Sequence, residues 1–499
     1  MNSQTIDIHG KKYNRTLMIA VILVATFAGM LMQTSLGTML PTLMREFDIT
    51  MATAQTATTW FLLANGIMIP VSAYLATKFS TKRLYLVAYL LLFAGMFLAY
   101  TAPTSNYNIF IIGRMLQAVA VGITMPLMQV VMVNVFPPQK MGAAMGLSGI
   151  VMGLAPAIGP TFAGWIIDKD HIILGLTLSS SWRTVFMLPM IILGIAFVAA
   201  FFVIKDVVPN KEVTLDFLSL FESILGFGLF LWGFTNVASD GWGNVPNVLL
   251  PIGLGIVVIG IFARRQLKME KPFLDLSVFK IKQFTLTTAS LALVTMAMMG
   301  VEMMLPMYLQ SVRGLSAFNA GLVLLPGALM MGIVSPIAGR AYDKVGVKRL
   351  VGLGMVILGL GTVPFLFFGV ETPEHYVTLL YGMRMVGVAL AMMPLTASAM
   401  KVLPKEEIAH GTAANSTARQ ISSSVVVALL SSVTQNIINN HQPVASLQKI
   451  NPLQYADKML TASLDGFHVS FAIGLSFAVV GFVVIQFLGE HKKTQLEAR

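Results

Sequence analysis

The sequence predicts an all-α polytopic membrane protein with 14 transmembrane helices. Of its 499 residues, 56% are hydrophobic and only 11% charged, where a soluble domain carries about 25% charged residues. The apolar residues fall into blocks of roughly 20, the length that crosses a hydrocarbon core of about 30 Å. Lys and Arg gather in alternate segments between the blocks, as they do on one side of a bilayer. A mean hydropathy of +0.78 leaves too little polar surface to cover a water-soluble globule. Composition therefore excludes soluble enzymes, disordered chains and nucleic-acid binders.

Each block reads as a helix, because lipid offers no partner for backbone N–H and C=O groups and a helix pairs them internally. The first run, 17–40, is too long for a signal-peptide core and lacks a cleavage pattern, so it is a retained span. Five more follow at 56–77, 84–101, 108–135, 141–167 and 183–204. Two stand apart at 215–237 and 247–266. The last six are 284–309, 319–341, 350–370, 376–402, 411–438 and 466–488. Polar clusters such as Asp168-Lys169-Asp170 and the stretch from Lys401 to His410 punctuate them. The chain divides into an N-terminal tail (1–16), a six-helix bundle (17–204), a two-helix insert with linkers (205–283), a second six-helix bundle (284–488) and a C-terminal tail (489–499). The external stretch before the last span, with Gln442-Pro443 and Asn451-Pro452, reads as a short amphipathic cover.

An even number of spans puts both termini on one side. With that side inside the cell, cytoplasmic segments hold 24 of the 33 basic residues and external segments six: Arg45, Lys169, Arg183, Arg313, Lys449 and Lys458. Arg114, Arg384 and Arg419 lie within spans. This bias fixes both termini as cytoplasmic and accounts for the net charge of +11 without an acidic partner. Cysteine is absent, so no disulfide, thiolate or Cys-metal chemistry is available.

The chain also repeats. Residues 70–84 read PVSAYLATKFSTKRL and residues 336–350 read PIAGRAYDKVGVKRL; the Pro, a Lys and the closing Lys-Arg-Leu align at an offset of 266. Arg114 maps near Arg384 at an offset of 270, with Pro126 and Pro394 following. Because an even number of spans separates the halves, this is a parallel repeat about an axis along the membrane normal.

No GxxxxGK[ST], GxSxG or HExxH stretch occurs, and every His lies outside or at the edge of a span. Chemistry on a covalent bond and nucleotide hydrolysis have no visible apparatus. The sequence calls for no cofactor and no metal, which leaves transport driven by an ion gradient.

These residues resemble the major facilitator superfamily, and within it the 14-span drug:proton antiporters. Gly339 to Arg349 (GRAYDKVGVKR) fits the family's GxxxDxxGxxR loop pattern, with Gly339, Asp343, Gly346 and Arg349 at the patterned positions. The first copy departs from it at Ala73, Thr77 and Ser80. Span 4 carries Gly113-Arg114-Met115-Leu116-Gln117, and span 5 carries Gly146 and Gly159-Pro160-Thr161-Phe162-Ala163-Gly164, similar to the antiporter motif. Span 13 carries Asn415 and Arg419-Gln420. Gln33 stands where many such exporters have an Asp, so a titrating role does not transfer to it; with Asn65 to Pro70 this resembles the lincomycin-resistance-type branch. The resemblance implies two six-helix bundles plus two extra helices.

Each motif has a physical reading of its own. Asp343, among Arg340, Lys344, Lys348 and Arg349, can latch two helices by pairing with basic groups; the alternative is an ordinary basic loop. Gly159 and Gly164 allow close helix approach, and Pro160 weakens the backbone ladder. Arg114 inside a span needs a partner, with Gln33 and Gln117 within reach; it is either structural or, as the resemblance implies, part of coupling. Glu302 is the only acid well inside a span of the C-terminal half, which suits a group that binds and releases a proton; otherwise it lines a wet mouth or is permanently paired. Met299 and Met303 flank it within a Met-rich run, and thioethers repack around unlike ligands. With Trp60, Phe61 and Asn65 of span 2, and Gln33 and Gln117, they make candidate contacts for an amphipathic substrate. The expected protein is a monomer in a bacterial plasma membrane, exchanging protons for a small amphipathic molecule among membrane lipids. Export of an endogenous lipid or metabolite, or proton-coupled uptake, are the alternatives.

Overall fold

The computed structural model describes residues 4–49, 51–173, 176–210, 216–270 and 272–488; the C-terminal tail, 489–499, lies outside them. In chain order the helices are α1 (Arg15–Phe47), α2 (Met51–Lys78), α3 (Thr81–Thr101), α4 (Tyr107–Val135), α5 (Met141–Asp168), α6 (Trp182–Val203), α7 (Phe217–Asp240), α8 (Leu250–Gln266), α9 (Lys282–Ser311), α10 (Ala317–Val345), α11 (Val347–Thr362), α12 (Glu374–Lys401), α13 (Ile408–His441), α14 (Ala445–Ile450) and α15 (Pro452–Gln486). All but the short α14 are long and apolar enough to cross a membrane, which makes 14 spans among the described residues. Two small antiparallel hairpins join them: β1 (Gln4–Ile6) with β2 (Lys12–Asn14), and β3 (His171–Ile173) with β4 (Leu176–Leu178).

Polar side chains start these helices by accepting from orphan N–H groups: Asn14 for α1, Ser80 for α3, Ser181 for α6, Asp216 for α7 and Ser316 for α10. Gly346 separates α10 from α11 at φ +89°, a left-handed conformation that a side chain would strain. Two boundaries differ from the sequence reading. The α-helical part of span 11 stops at Thr362 and finishes as a 3-10 turn, Val363–Phe367, because Pro364 has no N–H to donate. The last helix begins at Pro452 rather than near 466, with Asn451 capping Gln454 N–H. The expected cover before the last span is thus α14 and the polar first turns of α15.

Helices α1–α6 pack as one bundle, and α9–α13 with α15 as the other. The bundles meet along α5–α10 on one side and α2–α13 on the other, with α12 against α5 and α13 against α4. The extra pair, α7 and α8, form a hairpin whose α7 rests on both α2 and α13. Leu231 of α7 reaches Gly66 of α2, and Ile67 lies 3.4 Å from where a Cβ on Gly228 would be. At the other side of the hairpin a Cβ on Gly255 would lie 2.6 Å from Phe230 N, so glycine sets the α7–α8 spacing. Apolar side chains face outward over much of α6, α8 and α11, among them Ile195, Phe202, Ile256, Val257 and Leu353, as lipid-facing helices require.

Candidate functional site

The seam between bundles is built from small residues. Gly142 of α5 and Gly339 of α10 touch backbone to backbone, and a Cβ on either would collide with the other's carbonyl. One turn on, Gly146 faces Pro336 and Ser335; further along, Gly153 faces Met331, and near the far end Gly164 faces Phe318. The two antiparallel helices are therefore in contact over their whole length. Gly159 turns instead toward α1, against Thr34 and Leu31 O, where Ser35 Oγ donates to Gly159 O at 3.1 Å. Pro160 is half-buried beside it.

At the α10–α11 end of this seam Asp343 bridges the bundles. Its two carboxylate oxygens accept from Gly142 N–H (3.1 Å) and Ala143 N–H (3.3 Å), the first turn of α5. The anion thus meets the positive end of a helix dipole rather than a basic side chain, and Lys401 adds a favourable charge nearby. The partners expected for Asp343 are basic side chains; its hydrogen bonds come instead from these N–H groups, because a glycine-thin contact leaves no room for an Arg between the helices, whereas N–H groups need none. Arg349 lies on the first turn of α11, outside this contact.

Two arginines occupy matching places in the bundles, each fully buried. Arg114 Nη1 donates to Met32 O of α1 (3.0 Å) and to Gln117 Oε1 (2.7 Å), its guanidinium lying over the Phe61 ring at 4.5 Å. Gln117 Nε2 passes the bond on to Gly95 O of α3. Arg384 Nη2 donates to Ala297 O of α9 (3.0 Å) and Nε to Thr362 Oγ1 of α11 (2.8 Å). Met32 and Ala297 are 265 residues apart, close to the repeat offset, so each arginine ties the first helix of its bundle to the fourth. Gln117 engages both ends of its amide in this network, which makes it a positioning group.

The halves differ in one respect. Glu302, half-buried on α9, interacts electrostatically with Arg384 and with Tyr381 of α12. Arg114 has no carboxylate among its hydrogen-bond partners. The repeat offset matches Arg384 to Arg114 without giving it a role, and the sequence reading does not name Tyr381.

The remaining candidates scatter. Met299 and Met303 are partly buried on α9, and Ser431 of α13 contacts Met303 Sδ at 3.8 Å. Gln33 is half-buried on α1 and Asn65 is buried on α2. Trp60 stacks on Trp232 of α7, with ring centroids 5.5 Å apart, so it meets the inserted hairpin. Arg419 reaches from α13 to Met152 of α5. Two open hollows lie elsewhere: a surface groove of about 510 Å³ between α11 and α15, beside Lys348 and Phe482, and one of about 270 Å³ among α1, α5 and α6, beside Phe27 and Pro189.

Comparison with known proteins agrees with this architecture. The family model of the Major Facilitator Superfamily matches residues 22–427. An uncharacterised MFS-type transporter, YcnB of Bacillus subtilis (strain 168), is 37% identical over 478 residues, 96% of each chain. The lincomycin resistance protein LmrB of Listeria innocua is 33% identical over 97% of this chain and 98% of its own. In three dimensions the proton:xylose symporter XylE superimposes with a TM-score of 0.62 over 96% of this chain and 98% of its own, at 13% identity, a likeness of fold.

Proposed function

This chain belongs to the Major Facilitator Superfamily, and from that premise we propose that it is a proton-coupled exporter of small amphipathic molecules working by alternating access. The observation that carries the reading is the asymmetry of the two buried arginines: Arg384 has a carboxyl within electrostatic reach, Glu302, and its counterpart Arg114 has none among its hydrogen-bond partners. A carboxyl facing one of the two repeat-related arginines is the minimal device for linking a proton to a structural change.

In this reading the face carrying the α10–α11 turn is cytoplasmic. Asp343 on the first turn of α5 holds that face closed, and the bundles rock about the α5–α10 seam. Protonation of Glu302 removes the charge that faces Arg384, so the α9–α12 contact weakens and the latch opens. Substrate bound between the bundles leaves as the proton crosses the other way. The 33% identity to a lincomycin resistance protein supports export of an amphipathic compound. The test is uptake of ethidium into inverted membrane vesicles under an imposed pH gradient. The reading expects accumulation that collapses with a protonophore and does not need nucleotide. Accumulation that requires nucleotide and survives the protonophore contradicts it.

A further inference from the structure

The groove between α11 and α15 belongs neither to the seam between bundles nor to the arginine networks. Its two helices pack antiparallel. Lys348 Nζ donates to Gln486 O at 2.9 Å, a Cβ on Gly352 would lie 3.8 Å from the Phe482 ring, and one on Gly359 would lie 3.7 Å from Leu475. On α11 the groove is lined by Lys348 and Arg349, then Gly352 and Leu353, then Val356, a stripe in four-residue steps along one helix face. On α15 it is lined by Phe482 and Gln486, again four residues apart. These side chains border one hollow of about 510 Å³.

Charge and apolarity are separated along its length. Lys348 and Arg349 lie in the first turn of α11, and Gln486 ends α15, so the basic end is at the rim of the spans. Val356 is eight residues beyond Lys348, about 12 Å along the helix toward the bilayer centre. Leu353, Val356 and Phe482 are all exposed, an apolar strip open to lipid, and Gly352 has no side chain to fill the space beside Phe482. No carboxylate lines the hollow among the described residues. An ammonium has three donors; the bond to Gln486 O uses one and holds the Lys348 charge at the mouth. A guanidinium such as that of Arg349 meets a phosphate with two N–H bonds at once. Two cations at the membrane edge, above an apolar slot, match an anion that carries a hydrocarbon chain.

We propose that this groove binds one anionic phospholipid, its phosphate on Lys348 and Arg349 and an acyl chain along Gly352, Leu353, Val356 and Phe482. The bound lipid ties the start of α11, directly after the Gly346 turn, to the end of α15. The assignment needs only the chain's place in a membrane and not the export reading, so either can fail without the other.

The chain has no cysteine, so Leu360→Cys, at the next step of the α11 stripe and exposed, carries a bimane label uniquely. The labelled full-length protein is reconstituted in dioleoylphosphatidylcholine vesicles, and quenching is measured with phosphatidylglycerol or phosphatidylcholine brominated on the acyl chains. Phosphatidylglycerol should be preferred roughly ten-fold at this label, and by no more than about two-fold at a control label on α6, Ile195→Cys. Adding Lys348→Gln and Arg349→Gln should bring the two lipids within about two-fold, and adding Gly352→Leu, which fills the slot, should reduce quenching by both. Glycerol 3-phosphate, a headgroup without chains, should displace nothing. A Leu360→Cys label without the preference, a preference that survives the loss of both cations, quenching unchanged by Gly352→Leu, or displacement by glycerol 3-phosphate overturns the assignment. Should the double substitution fail to fold, Arg349→Gln alone carries the charge arm: a preference at least halved supports the site and an unchanged one refutes it. Absence of pH-driven flux would count against the export reading and leave this lipid ratio standing.

Discussion

Arg114 and Arg384 perform one structural task twice, each donating to a carbonyl of the first helix in its bundle. A lysine in either place keeps the charge and loses the fork that reaches two acceptors at once. Arg384→Lys should therefore lower stability by about 1.5–3 kcal/mol, visible as a lower unfolding temperature in detergent, and restoring Arg should restore it. Glu302 holds Arg384 by charge alone, with no hydrogen bond to it among those of the described residues, so its share of the α9–α12 contact is small beside the arginine's own bonds. Glu302→Gln should leave the unfolding temperature within a degree or two and remove proton-driven flux. Asp343 accepts two N–H bonds at the start of α5. Asp343→Asn removes the charge and one acceptor, a loss of about 1.5–3 kcal/mol, or roughly ten-fold to more than a hundred-fold in the population closed at that face. Spin-label distances across α5–α10 at that face should lengthen; an unchanged distribution would show that the contact is not a latch. From the sequence, the anion was legible and its partner was not, because a pair of backbone N–H groups has no residue signature.

At the scale of elements, the α5–α10 contact depends on glycine. Gly339→Ala puts a methyl against Gly142 O, and overpacking of this kind costs about 1–3 kcal/mol. Transport should fall several-fold while the 14 spans still insert, measured as flux per correctly inserted molecule. The α7–α8 hairpin is pinned at its base by Asp216, which takes a two-pronged contact from Arg265 (3.1 and 2.8 Å) and a bond from Ser219. Partial burial would push the Asp216 carboxyl up, but the bonds from Ser219, Arg265 and Leu218 N–H outweigh it and hold it below its usual range. A carboxyl lowered by folding stabilises the folded form above its ordinary titration range, and that contribution is lost as pH falls through the folded value. Wild type should exceed Asp216→Asn in stability by about 1 kcal/mol at pH 7, since both side chains still touch water, with the gap closing as pH falls below the ordinary carboxylate range. Span existence was legible throughout, because 20 apolar residues leave few alternatives. The start of α15 was not: residues 452–465 are polar, and hydropathy does not register a helix that continues into water. Trp60 was misplaced for a related reason, since nothing in span 2 announces that α7 would cover it.

At the scale of the whole molecule, the parallel repeat made two bundles legible, and the matching of Met32 with Ala297 through their arginines gives that repeat a mechanical meaning. Its seam is a continuous line of small residues, so small rotations of one bundle on the other break few side-chain contacts. What could not be read from periodicity is the partnering of Glu302 with Arg384 and Tyr381, which depends on two helices, α9 and α12, that only packing brings together. The account stands or falls on that carboxyl being the proton carrier. The direct measurement encloses a pH-sensitive dye such as pyranine in proteoliposomes and adds ethidium outside. Wild-type protein should couple each movement of ethidium to a counter-movement of protons, and Glu302→Gln should show no substrate-triggered proton movement. Equal proton flux in the Glu302→Gln protein would contradict the account.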